Sequence, residues 1–378
     1  MKDETLLDFL QLINTEKVGP VSFYKYLEKY GSAAQALKVL ESSKSVFARR
    51  EAEKEFENAL KQNIQIITFE DAFYPDMLKE INDAPPLLYV KGNADLLKHP
   101  VCLSIVGSRN ASVAGRKIAS RIAYDLTNAD VLVVSGMARG IDAAAHKGAL
   151  YAKSQKGPTI AVLGTGVDVC YPDENKELYE QIAEQGVLIS EFCLGEQANI
   201  SNFPRRNRIV SALSMGVLVV EASLNSGSLI TARLALEQGK DVFAVPASPF
   251  ENKAAGCNKL IKEGALLTES ADDVLQTLAL TQNQTLKTFQ NATLKPKTLD
   301  IEKKEVIMQQ KSCADSKDNV VLETIGQAGI EQDDLIRHLK MLASDVLVKI
   351  TELELSGLVT RKNGSFLVLT KQGMEKLK

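Results

Sequence analysis

Six short apolar runs alternate with stretches of helical periodicity between about residue 64 and residue 280. The runs are Val101–Val106, Val131–Val134, Thr159–Leu163, Val187–Ile189, Val217–Val220 and Val242–Val245. Strands that alternate with helices form mostly parallel sheets. The pattern therefore predicts an α/β fold, with a Rossmann-like doubly wound sheet spanning residues 63–280. In such a sheet, ligands bind beyond the carboxyl ends of the strands.

Glycine-rich turns follow three of these runs, and the third turn is Gly164–Gly166. The first two turns and the helix starts behind them supply the candidate ligand residues Gly107, Ser108, Arg109, Ser112, Gly136, Arg139 and Gly140. Glycine lets the backbone approach a ligand closely, and the amides at a helix start favour anions. Ser112 is also placed to cap the following helix. Three such turns at one sheet edge predict a concave, amide-lined face that binds phosphate.

Positive charge comes with the segment FPRRNR at residues 203–208. Helical spacing puts Arg205 and Arg208 on one face and Arg206 on another, so the three arginines cannot all reach one phosphate. We take Arg206 and Arg208 as the ligand groups, with Asn207 between them. Phe203 either stacks on a base or packs in the core, and the residues alone leave both interpretations open.

A polar turn comes soon after the run that ends near Glu221, and it leads into a helix near Ile230. Its residues Ser226, Gly227 and Ser228 are predicted to line the same anion site. Further along, Lys259 either extends a basic rim around that site or belongs to a solvated helix face. Asp142 and His146 lie one helical turn apart, and a local hydrogen bond between them is a better interpretation than a catalytic dyad.

Two further modules flank the predicted sheet domain. Residues 1–62 are predicted to be helical, like a SAM domain or a helix-hairpin-helix, and a packing module is favoured over a phosphate-gripping one. Residues 281–318 are polar and lack periodicity, which is typical of a linker. Residues 319–378 indicate three helices and a small β-hairpin, which is the pattern of a winged helix.

Composition narrows the class of protein. The net charge is -3, so any nucleic-acid binding must come from a local positive field. No apolar run is long enough to cross a membrane, and the acidic start MKDETLLDFL does not resemble a secretory signal. We expect a cytoplasmic protein without a membrane partner. The scattered cysteines and histidines predict no metal site, and no turn has the GxGxxG spacing of a dinucleotide cofactor.

Taken in order, these segments resemble the DNA-processing protein A family (DprA/Smf) of bacteria over roughly residues 75–275. The matching stretches are IVGSR (105–109), SGMARGID (135–142), GTGVDVCYP (164–172), FPRRNRIVSALS (203–214), VVEASLNSGSLITARLALEQG (219–239) and GCNKLIKEGA (256–265). One position departs from the family pattern, because Ala247 stands where glycine is usual. The flanking helical and winged-helix modules fit the three-part layout of the family.

The resemblance implies an extended Rossmann fold whose positively charged pocket binds single-stranded DNA. It also implies a homodimer that protects incoming DNA and loads RecA recombinase in natural transformation, without catalysis and without a cofactor. Carried over residue by residue, the pocket would hold Ser108, Arg109, Gly136, Arg139, Phe203, Arg206, Asn207, Ser226, Gly227 and Ser228.

Two other functions stay open from the sequence. Glu221 and Arg206 could serve as the catalytic pair of a Rossmann-like phosphoribohydrolase that cleaves nucleoside monophosphates, although the glycine-rich loop of those enzymes is missing. The chain could also sense a small nucleotide and use the winged helix as its output.

Overall fold

A computed structural model describes residues 2–41, 46–152 and 158–279, and parts of 321–374. The predicted linker, residues 281–318, lies outside the described residues. The chain divides into two compact units, Met1–Phe289 and Gln290–Lys378.

The N-terminal segment forms four helices: α1 (Lys2–Asn14), α2 (Pro20–Tyr30), α3 (Ala33–Glu41) and α4 (Arg49–Lys61). Proline is well suited to the first turn of α2, because its missing N–H would have no partner there. Gly31 ends that helix with a left-handed φ of 80°. Apolar residues of these helices, among them Leu10 and Phe23, form one core cluster with Tyr89 and Leu188 of the central sheet. The helical module therefore packs against the sheet and belongs to the same compact unit.

The central sheet has nine strands: β1 (Gln65–Thr68), β2 (Leu87–Gly92), β3 (Cys102–Val106), β4 (Leu132–Ser135), β5 (Thr159–Val162), β6 (Val187–Ser190), β7 (Gly216–Val219), β8 (Asp241–Ala244) and β9 (Leu266–Leu267). Their order is β1-β2-β6-β5-β4-β3-β7-β8-β9. Strands β3 to β9 pair in parallel, whereas β1–β2 and β2–β6 are antiparallel. The six predicted strands are confirmed as β3 to β8.

The sequence prediction missed β1, β2 and β9. Strands β1 and β2 pair as neighbours, but a long connection separates them in the chain, so no tight-turn signal marks the pair. Strand β9 has only two residues, which is too short for any periodicity. The fold is therefore a mixed Rossmann-like sheet with an antiparallel extension at one end.

Helices cover both faces of the sheet: α5 (Val113–Asn128), α6 (Ile141–Leu150), α7 (Lys176–Gln185), α8 (Asn202–Ala212), α9 (Ser228–Glu237), α10 (Ala255–Lys262) and α11 (271–279). The chain runs from β3 through β4 and β5 to β6 in one direction, and then returns to place β7 on the other side of β3. The turns that leave β3 and β7 consequently diverge to opposite sides. This is the topological switch point at which open α/β sheets bind ligands.

The C-terminal unit contains the described helix α12 (Gln332–His338) and a three-stranded sheet of β10 (Ile330–Glu331), β11 (Val359–Lys362) and β12 (Phe366–Leu369). Strands β11 and β12 pair antiparallel, as the predicted hairpin requires. A separate apolar core, which includes Leu335, Ile350 and Leu367, holds this unit together. Its architecture is that of a winged helix.

Two negative findings apply to the described residues. None of their helices is both long and apolar enough to cross a membrane. Their His, Cys, Asp and Glu side chains form no group of three or more that could hold a metal ion.

His146 does not bond to Asp142, so the predicted local pairing of these two residues is wrong. Its Nδ1 instead lies 2.8 Å from the hydroxyl of Thr159, which itself donates to the carbonyl of Val133. The imidazole is fully buried, and burial lowers the pKa of His146 to about 3. The histidine is therefore a neutral core residue that links α6 to β5.

This burial predicts a pH-dependent stability. His146 takes up a proton near pH 6.5 in the unfolded chain but only near pH 3 in the folded chain. The neutral, buried histidine therefore contributes its full share of the free energy of unfolding above pH 6.5, and this share is lost as the pH falls towards 3. Between these two pH values, protonation of His146 should lower the free energy of unfolding of the wild type by up to about 1.4 kcal/mol per pH unit. We expect this part of the pH dependence to be absent from the His146→Gln variant. Urea unfolding of both proteins across that range measures the difference, and parallel pH profiles would contradict it.

Candidate nucleic-acid interface

A cavity of about 510 Å³ lies at the carboxyl ends of β3, β4 and β7 and is closed on one side by α8. We call it the switch-point cavity. The structure brings ten of the predicted ligand residues into its lining: Gly107, Ser108, Arg109, Gly136, Phe203, Arg206, Asn207, Ser226, Gly227 and Ser228. These residues come from four separate chain segments, which meet here because parallel strands end at one edge.

The turns after β3 and β4 hold each other in place. The amide of Ser108 donates to the carbonyl of Glu221 (2.6 Å), and its own carbonyl accepts from the amide of Ile141 (3.2 Å). Gly140 has a φ of 77°, and a side chain there would overlap the carbonyl of Ser108. Gly140 thus shapes the cavity by allowing this close approach and does not itself line it.

A buried arginine forms the floor of the cavity. Arg206 is only 3% exposed, and its Nη1 donates to the carbonyl of Val162 at the end of β5 (2.7 Å). Burial lowers the pKa of Arg206 to about 10, so the guanidinium stays charged at neutral pH. Burial also raises the pKa of the neighbouring Asp142, and the positive charge of Arg206 acts in the opposite direction. Asp142 accepts from the amide of Ala138 (3.3 Å), so it fixes the turn after β4.

The mouth of the cavity combines a cation with two aromatic rings. The guanidinium carbon of Arg109 lies 4.9 Å from the centre of the Phe203 ring, and Phe203 lies 5.6 Å from the ring of Tyr171. Phe203 is half-buried and lines the cavity, so it is not an ordinary core aromatic. An arginine that lies over a ring can still direct its N–H groups outward in the plane of the guanidinium, which suits a phosphate oxygen.

The opposite wall is the turn into α9. The hydroxyls of Ser226 and Ser228 lie 2.7 Å apart, and Gly227 occupies the cap position of the helix. The start of α9 carries the positive end of its dipole, and it therefore adds to the field from Arg109 and Arg206. Its charged lining residues are Arg109, Arg206 and Asp142, so the cavity has an excess of positive charge on a chain whose overall charge is negative.

Two predicted ligand residues have other roles. Arg208 pairs with Glu191 and with Asp83 (3.3 Å), on the side of α8 away from the switch-point cavity. Helical spacing had separated Arg206 from Arg205 and Arg208, and the structure confirms that separation. The error was to choose Arg208 beside Arg206. The hydroxyl of Ser112 caps α5 by accepting from the amide of Gly115 (2.9 Å), as predicted, and donates to Glu221 (2.6 Å), so it does not face the cavity.

Two other basic residues lie beside the cavity. Arg139 is exposed, lies 3.4 Å from Glu174 and lines a small recess that shares Arg109, Phe203 and Arg206 with the cavity. Lys259 lies in a separate groove behind the Ser226–Gly227 turn, 3.7 Å from Glu263. Each of the two is paired with a carboxylate, and neither lines the switch-point cavity.

Sequence reasoning missed several lining residues, among them Asn110, Ile200, Ile230 and Thr231. Ile200 is 87% exposed, and nothing in the sequence distinguishes it from a loop residue. Tyr171, which follows the third glycine turn, also lines the cavity and is absent from the predicted ligand residues.

The departure at Ala247 has a structural explanation. Asn258 binds both backbone groups of this residue, by accepting from its amide (3.1 Å) and donating to its carbonyl (2.9 Å). The backbone of Ala247 also lies outside the left-handed region, so a side chain is tolerated. The alanine therefore does not disturb the turn after β8.

Residues 65–279 match the family model described as "DNA recombination-mediator protein A". The chain belongs to this family. Two further models match the flanking parts: a DprA-like N-terminal HHH domain over residues 3–58 and a DprA winged helix domain over residues 309–365. The three-part layout expected from the sequence resemblance is confirmed.

Named relatives agree with this assignment. A DNA processing protein DprA of Streptococcus pneumoniae is 49% identical over 205 residues, which is 54% of this chain and 71% of the relative. A protein Smf of Synechocystis is 34% identical over 80% of each chain.

Solved structures of relatives support the fold. The X-ray structure of the Streptococcus pneumoniae DprA covers 72% of this chain and 96% of its own, with a TM-score of 0.61 and 38% identity. DNA processing protein A of Helicobacter pylori covers 57% of this chain and 97% of its own (TM-score 0.52, 30% identity), and its structure was described for its single-stranded DNA binding mode.

Gly136 offers a test of the buried arginine. A side chain at Gly136 would overlap the guanidinium of Arg206, which cannot retreat because it is buried. We expect Gly136→Ala to lower the free energy of unfolding by about 1–3 kcal/mol. The matched control is Gly227→Ala, where a side chain meets open space and φ is -61°. We expect that variant to change stability by less than about 0.5 kcal/mol in the same urea titration. Equal effects of the two substitutions would contradict this account of the cavity floor.

Proposed function

We propose that the chain binds single-stranded DNA in the switch-point cavity. The observation that carries the proposal is the position of Arg109 over the Phe203 ring beside Tyr171, in the same cavity lining as the buried Arg206. Sequence-independent binding of single strands combines positive charge that follows the phosphates with aromatic rings that stack on the bases. The cavity offers both within one recess. The Helicobacter pylori relative, described for binding single-stranded DNA, supports the same assignment.

Each group has a definite part in this proposal. Arg109 and the Ser226–Ser228 turn contact backbone phosphates, while Arg206 supplies a fixed positive charge from below. Phe203 and Tyr171 stack on bases. Because every base has a face that can stack, we expect little preference for sequence.

The wider role that we propose follows the family. The protein protects incoming single strands in the cytoplasm and loads RecA recombinase onto them during natural transformation. It acts as a homodimer and without catalysis. Membership of the recombination-mediator family supports this role.

Binding to a labelled oligothymidine, followed by fluorescence anisotropy across a salt series, tests the proposal. We expect Arg109→Ala to weaken binding about tenfold and to lower the slope of log K against log salt by about 0.7 for the lost phosphate contact. Arg121→Ala is the matched control, because Arg121 is an exposed arginine outside the cavity lining that pairs with Asp125. Binding that is indifferent to Arg109, or that is equally tight for duplex DNA, would refute the proposal.

The phosphoribohydrolase alternative is disfavoured by the position of Glu221. Its carboxylate accepts hydrogen bonds from both the amide and the hydroxyl of Ser112, and Glu221 is not part of the cavity lining. A carboxylate held in this way contributes to the start of α5 and does not face a substrate. We expect no free base when the protein is incubated with nucleoside monophosphates and analysed by liquid chromatography. Release of base that depends on Glu221 would reverse this conclusion.

RecA loading has its own readout. We expect the protein to shorten the lag before RecA hydrolyses ATP on single strands that are already covered by a single-strand-binding protein. The Arg109→Ala variant should lose most of this effect, because loading requires the mediator to hold the strand. An unchanged lag with a protein that binds DNA normally would separate DNA binding from RecA loading and refute the latter.

A further inference from the structure

The sheet edge that holds the switch-point cavity continues past the turn after β3 to the loop after β8. Strand β8 pairs in parallel with β7, and β7 with β3, so the carboxyl ends of all three strands lie at this edge. Asn110 lines the cavity, and its carbonyl accepts from Nζ of Lys253 in the loop after β8 (3.4 Å). The rim of the cavity and this loop are therefore in direct contact.

Two cations at this rim keep their full charge. Nη1 of Arg116 donates to the carbonyl of Ala111 (2.7 Å), which follows the Asn110 carbonyl that Lys253 contacts. Arg116 and Lys253 are both exposed, and neither forms an ion pair with a carboxylate among the described residues. A carbonyl is a neutral partner, so it fixes the position of a cation without cancelling its charge for a phosphate.

The two segments that meet at the rim carry an excess of positive charge. Residues 107–116 and 246–254 together contain three cations and one carboxylate, that of Glu251. Glu221, which packs against the first segment, is buried and hydrogen-bonded to it. Beyond β8, the next acidic residues at this edge follow β9 and begin with Glu269. The positive field of the cavity therefore extends along the rim as far as the loop after β8.

An aromatic ring lies in the same loop as one of these cations. Phe250 comes three residues before Lys253 and is 93% exposed, more than any other large apolar side chain that the structure describes. Its turn is anchored, because the amide of Glu251 donates to the carbonyl of Ser248 (3.0 Å) and Asn258 binds the backbone just before that turn. The ring is thus displayed on a held turn, with its faces open to a stacking partner.

We propose that a bound single strand leaves the switch-point cavity over Asn110 and continues across a rim site formed by Arg116, Phe250 and Lys253. The two cations contact the next phosphates, and Phe250 stacks on a base. A lone exposed apolar residue is common, but a ring beside unpaired cations is the combination that single-strand sites use. The inference rests on the proposed function, which places the strand in the cavity, and it extends the footprint of that strand.

The chain has no tryptophan, so Phe250→Trp introduces a single fluorescent reporter at the rim site. Tyr151→Trp is the matched control, because Tyr151 is a 76% exposed aromatic residue at the end of α6, at the opposite edge of the sheet. We expect an oligothymidine of about 16 nucleotides to quench Phe250→Trp, since a base stacks on the indole, and to leave Tyr151→Trp unchanged. An abasic oligonucleotide of the same length should not quench either reporter.

Affinities for a long and a short oligothymidine make the test independent of the reporter. Phe250→Leu removes the aromatic face and keeps an apolar side chain, so the long strand of about 16 nucleotides should bind at least about fivefold more weakly. Lys253→Ala should lower the slope of log K against log salt by about 0.7 for one lost phosphate contact. Neither change should affect a strand of about 4 nucleotides, which ends within the cavity. Lys147→Ala, an exposed lysine in the last turn of α6, is the charge control.

Four outcomes would overturn the inference. Equal losses for the long and the short oligothymidine would show a general loss of positive field without a rim site. Unchanged affinity and an unquenched Phe250→Trp, with a wild type that binds both lengths, would remove the rim site and leave the proposed function intact. Absence of any DNA binding by the wild type would overturn both. If Phe250→Leu changed the sedimentation of the free protein but not its DNA binding, Phe250 would be a protein contact.

Discussion

The buried guanidinium of Arg206 is the interaction on which the site depends. It connects α8 to the end of β5 through the carbonyl of Val162, and it occupies the space that a side chain at Gly136 would need. A charge at this depth is costly unless it is compensated. The nearby carboxyl of Asp142 supplies part of that compensation and also fixes the turn after β4. Part of the positive field of the cavity is therefore built into the core, and the exposed Arg109 adds to it at the surface.

Helix α8 distributes its arginines between two environments. Arg206 faces the switch-point cavity, whereas Arg205 and Arg208 face the carboxylate of Glu191 on the other side. The helix thus gives one arginine to the cavity and pairs the other two with a buried carboxylate. This separation explains how a chain with a net charge of -3 can present a local anion site.

Much of the fold follows from local signals. The apolar runs identified β3 to β8, since a strand buried on both faces must be apolar throughout. The glycine turns marked the strand ends, and parallel pairing brings those ends to one edge, so half of the lining could be predicted. The missed strands β1, β2 and β9 lacked such signals because their pairing depends on distant partners or extends over only two residues.

The sequence by itself determined the parallel sheet, the edge at which the site lies and the fact that Arg206 points away from Arg205 and Arg208. These are consequences of strand and helix periodicity. Only the tertiary structure decided which arginine serves the cavity, because the partners Glu191 and Asp83 that claim Arg208 lie elsewhere in the chain. The same holds for Ser112, whose hydroxyl is engaged by Glu221 across 109 residues. The type and spacing of the side chains determine which groups are able to bind a ligand. Contacts between distant parts of the chain determine which of those groups are already bonded to another residue.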